Sequence, residues 1–277
     1  MNCKIFQIFY SEDTMLSNDK GFLQLDNLEN PRPDWREYWP IRNYLLNNEL
    51  SSDYYYGFFS PKFKSKTNLD SGDVYKFISE LKSDVDVVTF SPFFDQSAFP
   101  LNVFIQLHTQ EDGVIEQVKD IFLRINSSVN IENLVMSSKN TIFCNYFAAK
   151  KDFWIEWLSI CETIYSMAED SNSKTYRLLN SKIFHDGASA PLKVFVIERV
   201  ASYLLSTNTK FKTSVYNPMQ LPYSGSPVSM YLNELCILDS LKISFTETGF
   251  IEYIESFNKT RNLIINKIYT DNPTTFK

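Results

Sequence analysis

The sequence predicts an α/β fold in which a mixed, mostly parallel sheet is flanked by helices and followed by a helical C-terminal portion. Three short apolar segments, at residues 4–10, 53–59 and 85–90, each end abruptly in polar residues, as buried strands do. Segments with helical spacing separate them. Alternating strands and helices favour parallel pairing through crossover helices.

The first half of the chain supplies the elements of this sheet in order. The strand at residues 4–10 (KIFQIFY) comes first. Two prolines then precede Asp34, which we expect to be the N-cap of a helix carrying Trp35 and Trp39. A second helix begins at Ser71 and has apolar residues at i, i+3, i+4 and i+7.

The second half of the chain is mainly helical in pattern. An amphipathic helix is predicted at residues 114–125, and an apolar strand at 141–149 (TIFCNYFAA). A long helix follows from Asp152, and further helices are predicted at 192–205 and 250–269. The chain shows no internal repeat and no low-complexity linker, so we expect one domain over its whole length.

Composition excludes several classes of function. The chain has 277 residues, 27 basic and 33 acidic, and its net charge of -6 without a long basic run disfavours a nucleic-acid partner. Its four scattered cysteines have no Cys-x-x-Cys spacing, which favours a reducing cytoplasm over a disulfide or metal framework. No segment approaches the roughly 18 apolar residues of a membrane span. With 7 glycines, the chain has no P-loop or dinucleotide fingerprint.

The predicted strands point to one candidate site. Polar loops follow the three strands at residues 11–13, 60–62 and 91–96. Parallel sheets bind their ligands beyond the carboxyl ends of their strands. We therefore expect a ligand site where these loops meet.

Two carboxylates are candidates for acid–base chemistry. Asp95 follows the third strand, where it would serve as general base or metal ligand, or else cap a turn. Glu198 lies in an apolar helical stripe, where a carboxylate is costly unless it is paired or functional. A structural salt bridge with an Arg or Lys is the alternative for Glu198.

Further candidate site residues are acidic, basic and aromatic. Asp84 and Asp86 form an Asp-x-Asp, the metal-binding motif of many glycosyltransferases, but they precede a strand and are better explained as solvated charges. Lysines in the KFKSK segment at residues 62–66 would neutralise a diphosphate or lie in a solvated loop. Trp35 and Trp39 would stack on a nucleobase or sugar ring.

Four short motifs, in order, resemble those of glycosyltransferases from bacterial capsule and lipopolysaccharide gene clusters. They are LDNLENPRPDWREYW at residues 25–39, DYYYGFFSPKF at 53–63, NYFAAKKDF at 145–153 and ERV at 198–200. The resemblance covers roughly residues 4–205. It implies a GT-A-like fold, with a nucleotide-sugar-binding part at about residues 1–150 and a mainly helical acceptor-side part at about 151–277.

The resemblance implies a cytoplasmic hexosyltransferase that transfers a sugar from a nucleotide-sugar donor to a growing surface polysaccharide, O-antigen or capsule. The favoured donor is a UDP-sugar and the acceptor is a glycan or a lipid-linked glycan, so the enzyme would contact the inner face of the cytoplasmic membrane peripherally. Either Mg²⁺ or Mn²⁺ would assist, or no metal at all. Asp95, as base or metal ligand, Glu198 and Arg199 are the catalytic candidates. The implied donor-binding residues are Phe9, Tyr10, Asp26, Asn27, Glu37, Ser60, Lys62, Ser91, Gln96 and Asn145.

A second hypothesis is a non-catalytic carbohydrate- or partner-binding protein derived from a glycosyltransferase fold. The absence of an Asp-x-Asp after a strand and the scarcity of glycine favour it. Asn145 and the Glu198–Arg199 pair favour the enzyme.

Overall fold

The computed structural model describes residues 2–106, 114–185 and 188–271. The strands in these ranges are β1 Asn2–Phe9, β2 Leu23–Asp26, β3 Tyr54–Phe59, β4 Val87–Thr89, β5 Phe147–Ala149, β6 Lys182–His185, β7 Ala188–Pro191 and β8 Thr213–Val215. Six of them form the main sheet in the order β2-β1-β3-β5-β4-β8, and β6 pairs with β7 in a separate antiparallel pair.

The main sheet is mixed and mostly parallel, as predicted. The pairs β1–β2, β1–β3 and β4–β8 are parallel, whereas β5 is antiparallel to both of its neighbours, β3 and β4. Because β5 runs the other way, the residues that precede it lie at the edge where the parallel strands end. Residues 143–146 therefore join the loops that follow β1, β3 and β4 at one edge of the sheet.

The centre of the sheet is closely packed around Gly57 of β3. A Cβ atom at this position would lie 3.0 Å from Cδ1 of Ile5 and 3.2 Å from the backbone oxygen of Phe147. Gly57 pairs with Ala148 of β5. The small residues on these two strands let them approach beneath the large side chains that cover the sheet.

Helices cover the sheet and form the C-terminal portion. Their bounds are α1 Glu12–Ser17, α2 Tyr38–Asn47, α3 Phe63–Thr67, α4 Ser71–Ser79, α5 Phe94–Ala98, α6 Val114–Ile125, α7 Lys151–Glu169, α8 Tyr176–Leu179, α9 Leu192–Glu198, α10 Val200–Thr207, α11 Leu232–Thr248 and α12 Glu252–Asp271. The predicted amphipathic helix at 114–125 is confirmed. α4 begins with a capping box between Asp70 and Asp73.

Aromatic side chains join α7 to the sheet. Trp154 stacks on Phe147 with ring centroids 4.7 Å apart and meets Phe58 edge-on at 5.1 Å. Its indole N–H donates a hydrogen bond of 2.9 Å to the backbone oxygen of Tyr56. Because this bond satisfies the only polar atom of a fully buried ring, Trp154 buries apolar surface without leaving an unpaired hydrogen-bond donor.

Two predicted helices differ from the sequence pattern. Asp34 is not an N-cap: it lies in a short 3-10 turn, and its carboxylate instead binds Arg32 and Lys193. The helix predicted at 192–205 is broken at Arg199 into α9 and α10. The ion pair between Asp34 and Lys193 joins residues 159 positions apart in the sequence, which local spacing does not report.

The sequence pattern also missed several elements. β2 and β8 are short and have no fully buried residue, so they lack the apolar signal of the central strands. The strand predicted at 141–149 is regular only over β5. α11 was not predicted, because its apolar residues do not form a clear stripe.

The two halves of the chain share one sheet. β8, from the second half, pairs with β4, and α7 packs across β3 and β5. A boundary near residue 150 therefore does not divide the main sheet. Within the described ranges, no helix has both the length and the apolar character required to span a bilayer.

Candidate functional site

A cleft of about 650 Å³ lies at the carboxyl edge of the main sheet. The loops after β1, β3 and β4, the segment before β5, the start of α2, the end of α9 and the 224–226 loop line it. Eight of the thirteen predicted site residues contribute to its lining: Tyr10, Glu37, Ser60, Lys62, Gln96, Asn145, Glu198 and Arg199. The location expected from the strand ends is thus occupied by a cleft.

Four predicted donor-binding residues lie outside the cleft lining. Phe9 is a buried residue of β1 with 6% of its surface exposed. Asp26 accepts the backbone N–H of Leu28, and Asn27 donates its side-chain N–H to Asn30. Ser91 accepts the backbone N–H of the cleft residue Phe143 through its hydroxyl. These four residues shape the loops around the cleft without lining it.

Asp95 does not reach the cleft either. Its side chain is fully buried in α5, and its two carboxylate oxygens accept the backbone N–H (3.0 Å) and the hydroxyl of Ser224. Ser224 itself lines the cleft and also accepts a bond of 3.0 Å from the amide of Gln96. Asp95 therefore anchors a loop of the cleft, and no oxygen of its carboxylate is left without a partner.

Glu198 is one of the two carboxylates that the described part of the cleft leaves free. It ends α9 half-buried, and among the described residues its side chain has no hydrogen-bond or ion-pair partner. Burial raises the pKa of Glu198, the positive charge of Arg199 opposes the rise, and the negative charge of Glu37 adds to it. The predicted alternative, a salt bridge with an Arg or Lys, is absent from the described part of the chain. Glu37 is the second acidic group of the lining.

Arg199 is held mainly by the backbone. Its Nε donates to the carbonyl oxygen of Val103 at 2.9 Å and one terminal nitrogen donates to that of Phe195 at 2.8 Å. Burial lowers the pKa of Arg199 to about 10, against the influence of Glu198. The guanidinium therefore remains charged at neutral pH.

Two lysines reach the cleft from the segment after β3. Lys62 is exposed, whereas Lys66 of α3 is half-buried and donates from Nζ to Sγ of Cys144 at 3.1 Å. Burial raises the pKa of Cys144 to about 12, so its thiol is protonated and not nucleophilic at neutral pH. Nearby, the hydroxyl groups of Ser60 and Tyr146 bond to each other at 2.7 Å.

Backbone strain is concentrated at the cleft. Of the six non-glycine residues with positive φ in the described ranges, four line it: Arg36 (φ 47°), Phe93 (φ 67°), Cys144 (φ 58°) and Asn145 (φ 54°). A non-glycine residue in the left-handed region costs about 1–2 kcal/mol. Such strain is typical of binding and catalytic sites, where the surrounding structure holds it in place.

Asn145 combines this strain with an unsatisfied side chain. It is 6% exposed, and its buried Oδ1 has no hydrogen-bond partner among the described residues. Buried amide oxygens without a partner are rare in native proteins and call for an explanation. Because Oδ1 only accepts hydrogen bonds, its missing partner is a donor such as an ordered water, and the N–H₂ group of the same carboxamide remains available to a ligand in the cleft.

The charge of the cleft is opposite to that of the protein. The chain carries a net charge of -6, yet the described lining has four cationic side chains and two acidic ones. The cations are Arg36, Lys62, Lys66 and Arg199, and the acids are Glu37 and Glu198. Of the cations, Arg36 was missed by the sequence pattern, because its exposed position within the 35–39 segment carries no signal.

The aromatic candidates divide between the cleft and the core. Tyr10, Trp35 and Phe93 line the cleft, joined by Phe143. Trp35 has no exposed surface, and the ammonium of Lys193 lies over its ring, 4.3 Å from the centroid. The aromatic residues of β3 are largely core.

The described residues offer no ready-made metal centre. Among residues 2–106, 114–185 and 188–271, no group of three or more His, Cys, Asp or Glu side chains comes together in a way that would hold a metal ion. Asp84 and Asp86 lie at the amino end of β4, away from the cleft, where Asp84 pairs with Lys212 at 2.9 Å. Asp84 is exposed, as interpreted, whereas Asp86 is partly buried, accepts the backbone N–H of Lys212 at 2.9 Å and pairs with Lys150 at 3.7 Å.

Comparisons with protein-family models, with curated proteins and with solved structures found no match for this chain. The activity of the cleft must therefore be inferred from its own residues and geometry. Those residues provide an excess of positive charge, an unpaired carboxylate and aromatic faces in one cavity.

Proposed function

We propose that the protein is a glycosyltransferase of GT-A-like fold that moves a sugar from a nucleotide-sugar donor to a bacterial surface glycan. The observation that carries this proposal is the cationic excess of the cleft in an acidic protein. A nucleoside diphosphate is a ligand of matching charge, because Lys and Arg bind phosphate oxygens through charge-assisted hydrogen bonds. Tyr10 and Phe93 would supply faces for a base or sugar ring.

Glu198 is the general base in this proposal. Its carboxylate is free, and a raised pKa makes a carboxylate a better proton acceptor near neutral pH. The acceptor hydroxyl oxygen forms a bond to the anomeric carbon, and its proton passes to Glu198. The bond from the anomeric carbon to the diphosphate oxygen breaks, and the electron pair leaves with the nucleoside diphosphate.

Glu37 and Arg199 have supporting roles. Glu37 would accept hydrogen bonds from hydroxyl groups of the sugar, and Arg199 would stabilise negative charge that develops on the diphosphate. Mg²⁺ is commonly held by one or two carboxylates together with substrate phosphates. Glu37 would hold such a shared ion together with the phosphates and leave Glu198 as the base, and the ion would supply further charge neutralisation, so the assay must include Mg²⁺ and Mn²⁺.

A thermal-shift panel tests the donor site first. UDP-, GDP- and CMP-sugars are each added with and without a divalent cation, and a ligand at about 100 times its Kd stabilises the native state by about 2.7 kcal/mol. The stabilising donor is then used in a turnover assay with lipid-linked and free glycan acceptors. We expect Glu198→Gln to keep donor binding and lose turnover, while the exposed Glu247→Gln serves as control.

The outcomes separate the two hypotheses. Donor binding with turnover that depends on Glu198 supports the enzyme. Donor binding without turnover in any acceptor screen would favour a non-catalytic carbohydrate-binding protein. The guanidinium of Arg199, held by backbone carbonyl oxygens, is compatible with that role as well. No stabilisation by any sugar nucleotide would contradict the proposal.

A further inference from the structure

Lys66 is a cation whose own protein partner is weak. Among the described residues, its ammonium group has one hydrogen-bond partner, the protonated thiol of Cys144 at 3.1 Å. A thiol is a poor acceptor for an ammonium group that can donate three hydrogen bonds. Burial would lower the pKa of Lys66, but Cys144 and the carboxylates of Glu198 and Glu37 raise it, so the group stays charged. Lys66 is therefore charged, half-buried and under-satisfied inside the cleft.

Asn145 lies next to the thiol that holds Lys66. Its carboxamide makes no hydrogen bond among the described residues, although only 6% of the residue's surface is exposed. The atom that is not buried faces the cleft, and as assigned it is the N–H₂ donor.

The backbone holds these two donors in place. Cys144 and Asn145 are consecutive residues in the left-handed region, with φ of 58° and 54°. Ser91 fixes the preceding turn by accepting the backbone N–H of Phe143 at 2.9 Å. Two strained residues in succession are maintained at a cost, and their common effect is to hold the amide of Asn145 beside the Lys66–Cys144 contact.

We propose that Lys66 and Asn145 form an oxyanion subsite, in which the ammonium and the carboxamide N–H₂ bind phosphate oxygens of a diphosphate group. In the free protein the ammonium rests on the thiol of Cys144, and it exchanges this acceptor for a phosphate oxygen when the ligand enters. This assigns the phosphate contact to the half-buried Lys66 in preference to the exposed Lys62. The proposal rests on the proposed function only in attributing the diphosphate to a sugar-nucleotide donor.

Inorganic pyrophosphate tests the subsite without a sugar or a nucleoside. Titration calorimetry on the full chain should give binding with a Kd below about 1 mM. Lys66→Met and Asn145→Gly should each weaken it by about tenfold or more, as expected for the loss of a hydrogen bond to a charged group. Glycine adopts a positive φ without strain, so Asn145→Gly removes the amide and keeps the backbone.

The chain offers a matched control for each variant. Lys64→Met removes a charge from the same helix, two residues away, at a side chain that is exposed and outside the cleft. Asn68→Gly makes the same replacement at an asparagine that also has a positive φ (61°) but is exposed and outside the cleft. Both controls should bind pyrophosphate like the wild type. Lys66→Arg should retain binding within a few-fold, and Asn145→Asp, which adds a negative charge, should abolish it.

Two results would overturn the subsite: no pyrophosphate binding up to about 10 mM, or binding that Lys66→Met and Asn145→Gly leave unchanged. Asn145→Asp and Lys66→Arg decide the question if either of those variants fails to fold. The subsite and the transferase activity fail separately. Lys66-dependent pyrophosphate binding without sugar transfer would refute the proposed function alone, whereas transfer that survives both variants would refute the subsite alone.

Discussion

Replacing Asp95 by asparagine distinguishes an anchoring carboxylate from a catalytic one. Asp95 is fully buried and binds the backbone N–H and hydroxyl of Ser224. In Asp95→Asn the remaining oxygen still accepts the N–H, and the new N–H₂ donates to the hydroxyl oxygen. The variant therefore keeps both contacts and loses their charge assistance, which is the difference between about 1.5–3 and about 0.5–1.5 kcal/mol per bond.

The expected loss of stability is modest. Because Ser224 is exposed, water offsets part of the change, and we expect about 1–2 kcal/mol in all. For a chain of this size, that corresponds to a melting temperature lowered by roughly 2–8 °C. Turnover of the donor should fall by less than about tenfold, because no reacting atom loses a partner. Glu198→Gln, which removes the proposed base, should lower kcat by about 10²–10⁴-fold.

The assay compares melting temperature with kcat for Asp95→Asn, Asp95→Ala, Ser224→Ala and Glu198→Gln. Asp95→Ala should be worse than Asp95→Asn in both, because it leaves the 224–226 loop without its anchor. Ser224→Ala, which removes one of the two bonds, should fall between them. The reasoning is refuted if Asp95→Asn melts like the wild type yet loses turnover as severely as Glu198→Gln.

Three further perturbations test the energetics of the fold. Burial raises the pKa of Glu198 above its ordinary value of 4.5, so the wild type loses stability as the pH rises from 4.5 through the raised pKa. Glu198→Gln should therefore be more stable than the wild type at neutral pH. The melting temperatures of the two proteins should converge below pH 4.5. Burial raises the pKa of Asp34, but hydrogen bonds from Arg32 and Lys193 outweigh this effect and lower the pKa to about 2. Asp34→Asn should therefore reduce the stability by about 1 kcal/mol at pH 7, after allowance for solvent screening. In thermal melts, the difference from the wild type should become smaller as the pH falls from 3.8 towards 2. Gly57→Ala should destabilise the sheet by about 1–3 kcal/mol in urea unfolding, because its Cβ would lie 3.0 Å from the side chain of Ile5 on β1. An unfolding midpoint equal to that of the wild type would contradict this expectation.

The sequence predicts the central strands and the location of the cleft for a physical reason. Buried parallel strands are continuously apolar, so residues 4–10 and 53–59 stand out, and the polar residues that follow them mark the carboxyl edge. Tyr10, Ser60 and Lys62 lie in the cleft for this reason. The edge strands β2 and β8 are short and partly exposed, and their pairing comes from the sheet rather than from their own composition.

The direction of side chains is what local pattern could not provide. Asp95 follows a strand, as a ligand-binding carboxylate often does, but Phe93 begins α5 in the left-handed region and Asp95 points to the buried side. Glu198 was expected on a continuous helix, whereas the break at Arg199 makes it the last residue of α9 and leaves it at the cleft. Each outcome depends on a local backbone turn, at Phe93 for Asp95 and at Arg199 for Glu198, and the spacing of residues in the sequence does not predict these turns.

The reversal of β5 connects the fold to the proposed chemistry. In an all-parallel sheet, the segment before a strand would lie at the opposite edge from the cleft, and Cys144 and Asn145 would be far from Lys66. Because β5 is antiparallel, this segment instead enters the cleft and adds two residues with positive φ, Cys144 and Asn145. A fold that needed only stability would have glycine at these positions, since glycine adopts this conformation without strain. The thiol of Cys144 contacts the ammonium of Lys66, and in the proposed subsite the carboxamide of Asn145 would bind phosphate oxygens beside that ammonium.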